Sequence, residues 1–224
     1  MSFQPAQHDN EGRVWPAFTD VLMTVALILV FYLFAQVVVS SQRSAAMAEV
    51  AKRQAVLRRA VEATIPAALR RDVRITEDGN LQRYAFADWI LFDSARAELK
   101  PSGVALLASL GRVFQRQHAA FSRVQIEGHT DDRPLRAGAG FASNWELSSA
   151  RATSVVRFFE DRCGLDPRLL SATGYSEYHP VDPADSEAAR ARNRRIEVVV
   201  VYSVHEGRGR ARATAGGGPA TRQR

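Results

Sequence analysis

Val124-Gln125-Ile126-Glu127-Gly128-His129-Thr130-Asp131-Asp132 changes character within nine residues. Apolar and polar side chains alternate from Val124 to Glu127, the period of a half-buried strand. A glycine and a polar loop follow. Ser143-Asn144-Trp145-Glu146 then has the form of a capping box, which opens a helix. That helix is expected to run to about Arg162, to bury Leu147, Ala150, Val155 and Phe158, and to stop at Gly164. Leu169 to Gly174 returns to strand.

Working outward, the same alternation continues. Val73 to Thr76 and Leu81 to Phe86 flank Asp78-Gly79 as a β-hairpin. Trp89 to Asp93 is a short apolar stretch. Lys100-Pro101 introduces a helix whose Leu106, Leu107, Leu110, Val113 and Phe114 share one face. Ser186 to Arg192 is a short helix, and Ile196 to Tyr202 a final strand. The fold class is α/β (α+β): a mixed sheet with helices packed on one face.

Toward the N-terminus, Val21 to Val39 is an uncharged run of 19 residues. As a helix it covers roughly 28 Å, one hydrocarbon core. Trp15 and Phe18 suit its interfacial end, and Pro16 the first turn of the helix. Residues 1–15 are polar with Arg13 the only basic side chain, and the apolar run is longer than a signal core, so the span reads as an uncleaved anchor. Asp20 lies at its N-terminal edge. Position alone allows two roles, a helix cap shared with Thr19 or a functional acid in the membrane. From Ser40 to about Leu69 the pattern stays helical, with a thin stripe of Val50, Leu57, Val61 and Ile65. A solvated linker helix or a short dimer seam fits that stripe, the linker better, and Pro66 allows a break. The expected organisation is a tail (1–15), a membrane helix (16–39), a helical linker (40–71), one globular domain (72–205) and a disordered basic tail (206–224).

The net charge of +6 and pI near 10.1 concentrate in that tail and in the segment after the span. No basic face interleaves with aromatics, so nucleic acid is not an expected partner. One cysteine, Cys163, excludes an intrachain disulfide. No nucleophile elbow, zinc-protease helix or phosphate loop is present, and no enzymatic activity or cofactor is expected. His129 beside Asp131 and Asp132 is a weak metal pattern, because adjacent loop acids are usually solvated; no metal is expected.

Several ordered motifs resemble the OmpA-like, peptidoglycan-binding domain. They are Phe92-Asp-Ser-Ala-x-x-x-Leu99, Gly128-His-Thr-Asp-Asp132, Asn144-x-x-Leu-Ser-x-x-Arg151-Ala, Ala172-x-Gly174-Tyr, Pro180 and Asn193-Arg-Arg-Ile-Glu197. The resemblance implies a ligand, the diaminopimelate stem peptide of the cell wall, whose free end is zwitterionic. It implies that Asp131 takes the ammonium and Arg151 a carboxylate, as a fork that Lys cannot reproduce. Thr130, Asn144, Leu147 and Arg194 would line the same cleft. The competing structural reading is an Asp131–Arg151 ion pair at a helix N-terminus.

Phe18-Thr-Asp20-Val-Leu-Met-Thr24 ahead of such a domain resembles the MotB family, the B subunits of ion-driven stators. This implies that Asp20 carries the translocated proton, that two copies sit within a ring of MotA-like subunits, and that the span crosses the inner membrane with its N-terminus cytoplasmic and its domain periplasmic. Burial makes a carboxylate easier to protonate, which suits that task. The short stretch between span and domain and the compact chain with its basic, Gly-rich tail depart from flagellar MotB and resemble the B subunit of Zorya anti-phage systems. The flagellar and defence versions are two readings of one machine. A passive membrane-to-wall anchor without ion conduction is the alternative. The charge rule for membrane flanks points the other way, with Arg13 alone before the span and Arg43, Lys52, Arg53, Arg58 and Arg59 after it.

Overall fold

The computed structural model describes residues 14–136, 138 and 140–204, the side chains of 14–17 excepted. The expected disordered segments at both ends and the interfacial side chain of Trp15 lie outside the described residues. Two compact units divide the chain, Met47–His205 and the remainder.

Helix α1 (Val14–Glu62) belongs to both units. In the first unit, every large apolar side chain from Phe18 to Val39 is exposed, Phe31 by 74% and Leu27 by 67%. A helix that is apolar on all sides has no water-facing side. By length and composition it can cross a membrane, with a mean hydropathy of 2.6. Three of its polar side chains bond within the helix itself. Thr24 Oγ1 donates to the Asp20 carbonyl at 2.8 Å, Gln36 Nε2 to Tyr32 Oη at 3.0 Å, and Ser44 Oγ to the Ser40 carbonyl at 3.0 Å. Such bonds satisfy donors where no water is available. Because α1 begins at Val14, Thr19 and Asp20 lie inside the helix, and neither occupies its cap.

In the second unit, Val50, Leu57, Val61 and Ile65 are between 0 and 5% exposed and join the hydrophobic core. The stripe expected on a linker therefore packs onto the globular fold. Gln54, on the same face, donates to the carbonyls of Gly79 (3.0 Å) and Leu81 (3.3 Å), and its own carbonyl accepts from Gln82 Nε2 (3.0 Å). A 3₁₀ turn, Ala67–Asp72, follows Pro66.

Strands β1 (Val73–Asp78) and β2 (Leu81–Ala87) form the expected hairpin, with Gly79 at φ +56°. A short helix, α2 (Asp88–Leu91), and α3 (Pro101–Arg116) lead to β3 (Arg123–His129). Then come α4 (Asn144–Cys163), β4 (Leu170–Gly174), α5 (Glu187–Asn193) and β5 (Arg195–Val201). The sheet order is β1-β2-β5-β3-β4, antiparallel except for β3–β4, which α4 connects in parallel. Alternation sorts the two faces. Tyr84, Phe86, Val124, Ile126, Ile196, Val198 and Val200 point into the core. Arg83, Glu127, Arg195 and Glu197 occupy the other face.

Helix α4 buries Leu147, Ser148, Arg151, Ala152, Val155 and Phe159. Ala150 and Phe158, expected inside, are only half-buried. The face is rotated because Arg151 points inward. Two glycines let α4 approach the sheet: a Cβ on Gly128 would lie 2.1 Å from the Ser148 carbonyl, and one on Gly174 2.6 Å from Ser148 Oγ. This contact lowers the first turns of α4 onto the loop that leaves β3.

Candidate functional site

A cleft of about 520 Å³ opens where β3, α2, α4 and α5 end or begin. Thr130 and Asp131 come from the loop after β3. Asn144, Leu147 and Arg151 come from the first turns of α4, and Arg194 from the junction of α5 and β5. All six line the cleft. The local order is built by capping. Ser143 Oγ accepts from the Glu146 N–H at 3.3 Å, while Glu146 Oε2 accepts from the Ala142 N–H at 2.9 Å. Asn144 Nδ2 then ties the helix to the loop, donating to the carbonyls of Arg133 (3.0 Å) and Asp131 (3.3 Å).

Asp131 and Arg151 do not form the ion pair that was the competing reading. Arg151 Nη1 lies 3.0 Å from Asp88 Oδ1. Its Nε donates to the Arg96 carbonyl at 2.8 Å, its Nη2 to the Asp93 carbonyl at 3.2 Å, and the guanidinium stands 5.2 Å from the Phe92 ring centroid. Asp131 instead pairs with Arg194 Nη1 and accepts the Arg133 N–H at 3.3 Å. Arg194 also reaches Glu187 at 3.1 Å, as does Arg133 at 2.7 Å. Burial works against both members of the inner pair. It pushes the Asp88 carboxyl up to about 6 despite Arg151, and it lowers the Arg151 pKa despite Asp88.

Thr130 Oγ1 is buried and has no hydrogen-bond partner among the described residues. A buried hydroxyl without a partner, facing a cleft, is a place for a ligand polar group. The cleft therefore holds a guanidinium at Arg151 facing Asp88, a carboxylate at Asp131 facing Arg194, and a buried hydroxyl without a partner at Thr130. That arrangement complements a zwitterion. Asp88, Arg133 and Glu187 were not identified in the sequence. Asp88 is masked there by its position beside the apolar Trp89–Phe92 stretch, and only the fold brings it to Arg151.

His129 does not join Asp131. It faces the other side of the sheet, where Glu127, His129 and Glu197 hold potential ligand atoms within 4.8 Å of one another. Two arginines already neutralise those carboxylates: Arg83 at 3.2 Å from Glu127 and 3.4 Å from Glu197, and Arg195 at 2.5 Å from Glu197.

Residues 91–194 match the OmpA family. Motility protein B of Bacillus subtilis is 32% identical over 127 residues, which cover 57% of this chain and 47% of that protein. A MotB-like protein from Desulfovibrio vulgaris has a solved structure with a TM-score of 0.65 at 29% identity, covering 73% of this chain and 97% of that one. The cell wall anchor of the T6SS from Pseudomonas aeruginosa matches at a TM-score of 0.54 and 29% identity, over 59% and 90% of the two chains. The chain spans about half the length of the motility proteins B it matches. Residues 91–194, which carry most of the cleft, are OmpA-like, and the chain is similar to MotB proteins over the covered part.

Proposed function

We propose that this chain is the B subunit of an ion-driven stator, held to peptidoglycan by the cleft of its OmpA-like domain. The observation that carries the reading is the convergence of Thr130, Asp131, Asn144, Leu147, Arg151 and Arg194 on one cleft with opposite charges at separate places. A diaminopimelate stem peptide ends in an ammonium and carboxylates. Asp131 holds the ammonium, and Arg151 the carboxylate. The likeness to a T6SS cell wall anchor and to motility protein B supports a wall-bound role.

Asp20 is the ion-carrying group, and the membrane-crossing part of α1 works as one of two copies inside a ring of MotA-like subunits. Its place within the helix, on an otherwise apolar surface, supports this over capping. The domain lies in the periplasm and the N-terminus in the cytoplasm of a single-pass inner-membrane protein. Lys52, Arg53, Arg58 and Arg59 belong to the folded unit from Met47, and Arg58 is engaged with Glu77 at 2.8 Å. The flanking charges favour the opposite orientation, and the likeness to motility protein B is what supports this one. The motor is of the flagellar or the Zorya defence type. The full chain in detergent is expected to sediment with purified sacculi, and Asp131→Asn to remain in solution. Equal retention of both would remove the cleft from wall binding.

The likeness to the T6SS anchor also favours a second reading, a tether that conducts no ion. Asp20→Asn separates the two. It abolishes activity with wall retention intact if the chain is a stator, and changes neither if it is a tether.

A further inference from the structure

Trp145 and Tyr178 are stacked on the protein surface, ring centroids 5.5 Å apart and planes 28° from parallel. They remain 50% and 63% exposed. Trp145 belongs to the first turn of α4, which lines the cleft, and Tyr178 to the turn after β4, which is bonded to the loop that does. Trp145 follows Asn144 in the capping box. Tyr178 stands two residues after Ser176, whose carbonyl accepts the Thr130 N–H at 2.9 Å.

The turn that presents Tyr178 is held firmly. Ser176 is 1% exposed and adopts φ +54°, a left-handed conformation that a non-glycine residue takes at an energetic cost. Its N–H donates to Ser148 Oγ at 3.2 Å, and the Tyr178 N–H to the Tyr175 carbonyl at 3.4 Å. The turn is thus anchored on α4, and the stacked pair it completes keeps the outer side of each ring in water.

We propose that the Trp145–Tyr178 pair is a saccharide platform that takes the C–H face of an N-acetylated hexosamine of the wall glycan while the stem peptide lies in the cleft. This rests on the wall-binding reading above. Pyranose rings present a face of weakly positive C–H groups, which matches the negative face of an aromatic ring. The platform carries no charge of its own, as suits a neutral sugar beside a zwitterionic peptide end. Sugar and stem peptide are one covalent ligand.

The test uses the full chain in detergent and isothermal titration with two probes: a disaccharide muropeptide, and the same stem peptide released from its sugar. The wild-type chain is expected to bind the muropeptide about tenfold more tightly, an increment of the size aromatic contacts supply. Trp145→Ala and Tyr178→Ala are expected to bind both probes alike, at the affinity of the free peptide, while Trp145→Phe keeps most of the difference. Equal binding of the two probes by the wild type, or a preference that survives in Trp145→Ala, overturns the platform. Loss of both probes in Asp131→Asn with the tenfold preference present in the wild type supports both readings together. Failure of the wild type to bind either probe overturns the wall-binding reading and the platform with it.

Discussion

Asp88 Oδ1 and Arg151 Nη1 face each other at 3.0 Å inside the domain, with their side chains only 11% and 3% exposed. Asp88 is a carboxylate already seated where an Arg151-bound ligand carboxylate would compete for the same cation. Burial outweighs Arg151 and holds the Asp88 carboxyl above its ordinary range, so the neutral side chain of Asp88→Asn is expected to raise the urea midpoint at neutral pH. In the same variant, affinity for a stem peptide should rise, because Arg151 loses its resident anion. Calorimetry on wild type and variant checks both directions.

The competition depends on pH. The Asp88 carboxyl, pushed up to about 6, gains its proton well before a ligand carboxylate with an ordinary value near 4. Between pH 7 and 5, binding of the stem peptide by the wild type should strengthen. In Asp88→Asn that trend should vanish. A wild-type profile that is flat over this range would remove Asp88 from control of Arg151.

Arg151→Lys is expected to abolish wall retention and to destabilise the fold, since a single ammonium cannot reach Asp88 and the carbonyls of Arg96 and Asp93 together. Asp131→Asn should weaken retention as strongly with a smaller loss of stability, because its half-exposed partner Arg194 keeps Glu187. Sedimentation with sacculi, paired with thermal melts, separates the two effects.

His129 is 4% exposed and stacks on Tyr175 at 5.1 Å. Burial, with Arg195 adding to it, pushes its pKa down to about 4 from 6.5. The unfolded chain therefore binds the proton more tightly, and stability should fall as pH drops from about 6.5 to 4. The loss is on the order of 3 kcal/mol. Asp88 acts in the opposite sense, since its folded-state pKa lies above its ordinary value and its protonation between about pH 6 and 4 favours the fold. His129→Phe should flatten the acid limb of the urea midpoint, and Asp88→Asn should steepen it.

Leu57 is fully buried in the core although it belongs to the helix that leaves the membrane-crossing segment. Leu57→Ala should cost about 2–5 kcal/mol. Residues 47–205 should fold on their own, and a version starting at residue 72 should melt at lower temperature and expose apolar surface. Calorimetric melts of the two fragments decide this.

Most of the sheet was legible because its cues are local. Alternation at Val124–Glu127, the capping box at Ser143–Glu146 and the stop at Gly164 each act within a few residues. The candidate site was legible in composition but not in pairing. Thr130, Asp131, Asn144, Leu147, Arg151 and Arg194 do meet in one cleft, yet the partner of Arg151 is Asp88, brought from α2 by the fold. The same arginine explains why the buried face of α4 was placed at Ala150 and Phe158. Apolar periodicity gives no reason to turn a guanidinium inward. The stripe from Val50 to Ile65 was visible, but a thin apolar line on an Arg-rich helix does not say whether a partner, solvent or its own domain will cover it.

The last turns of α1 bear on mechanics. A load drawn along the helix enters the domain at residue 47 and must pass through Val50, Leu57 and Val61 and through the Gln54 bonds to the β1–β2 turn before it reaches the sheet. These contacts join the helix flank to the β1–β2 hairpin, so a load along the helix is shared among them before it reaches the rest of the sheet. The attachment of this helix, more than the five-stranded sheet behind it, sets the force at which the domain gives way.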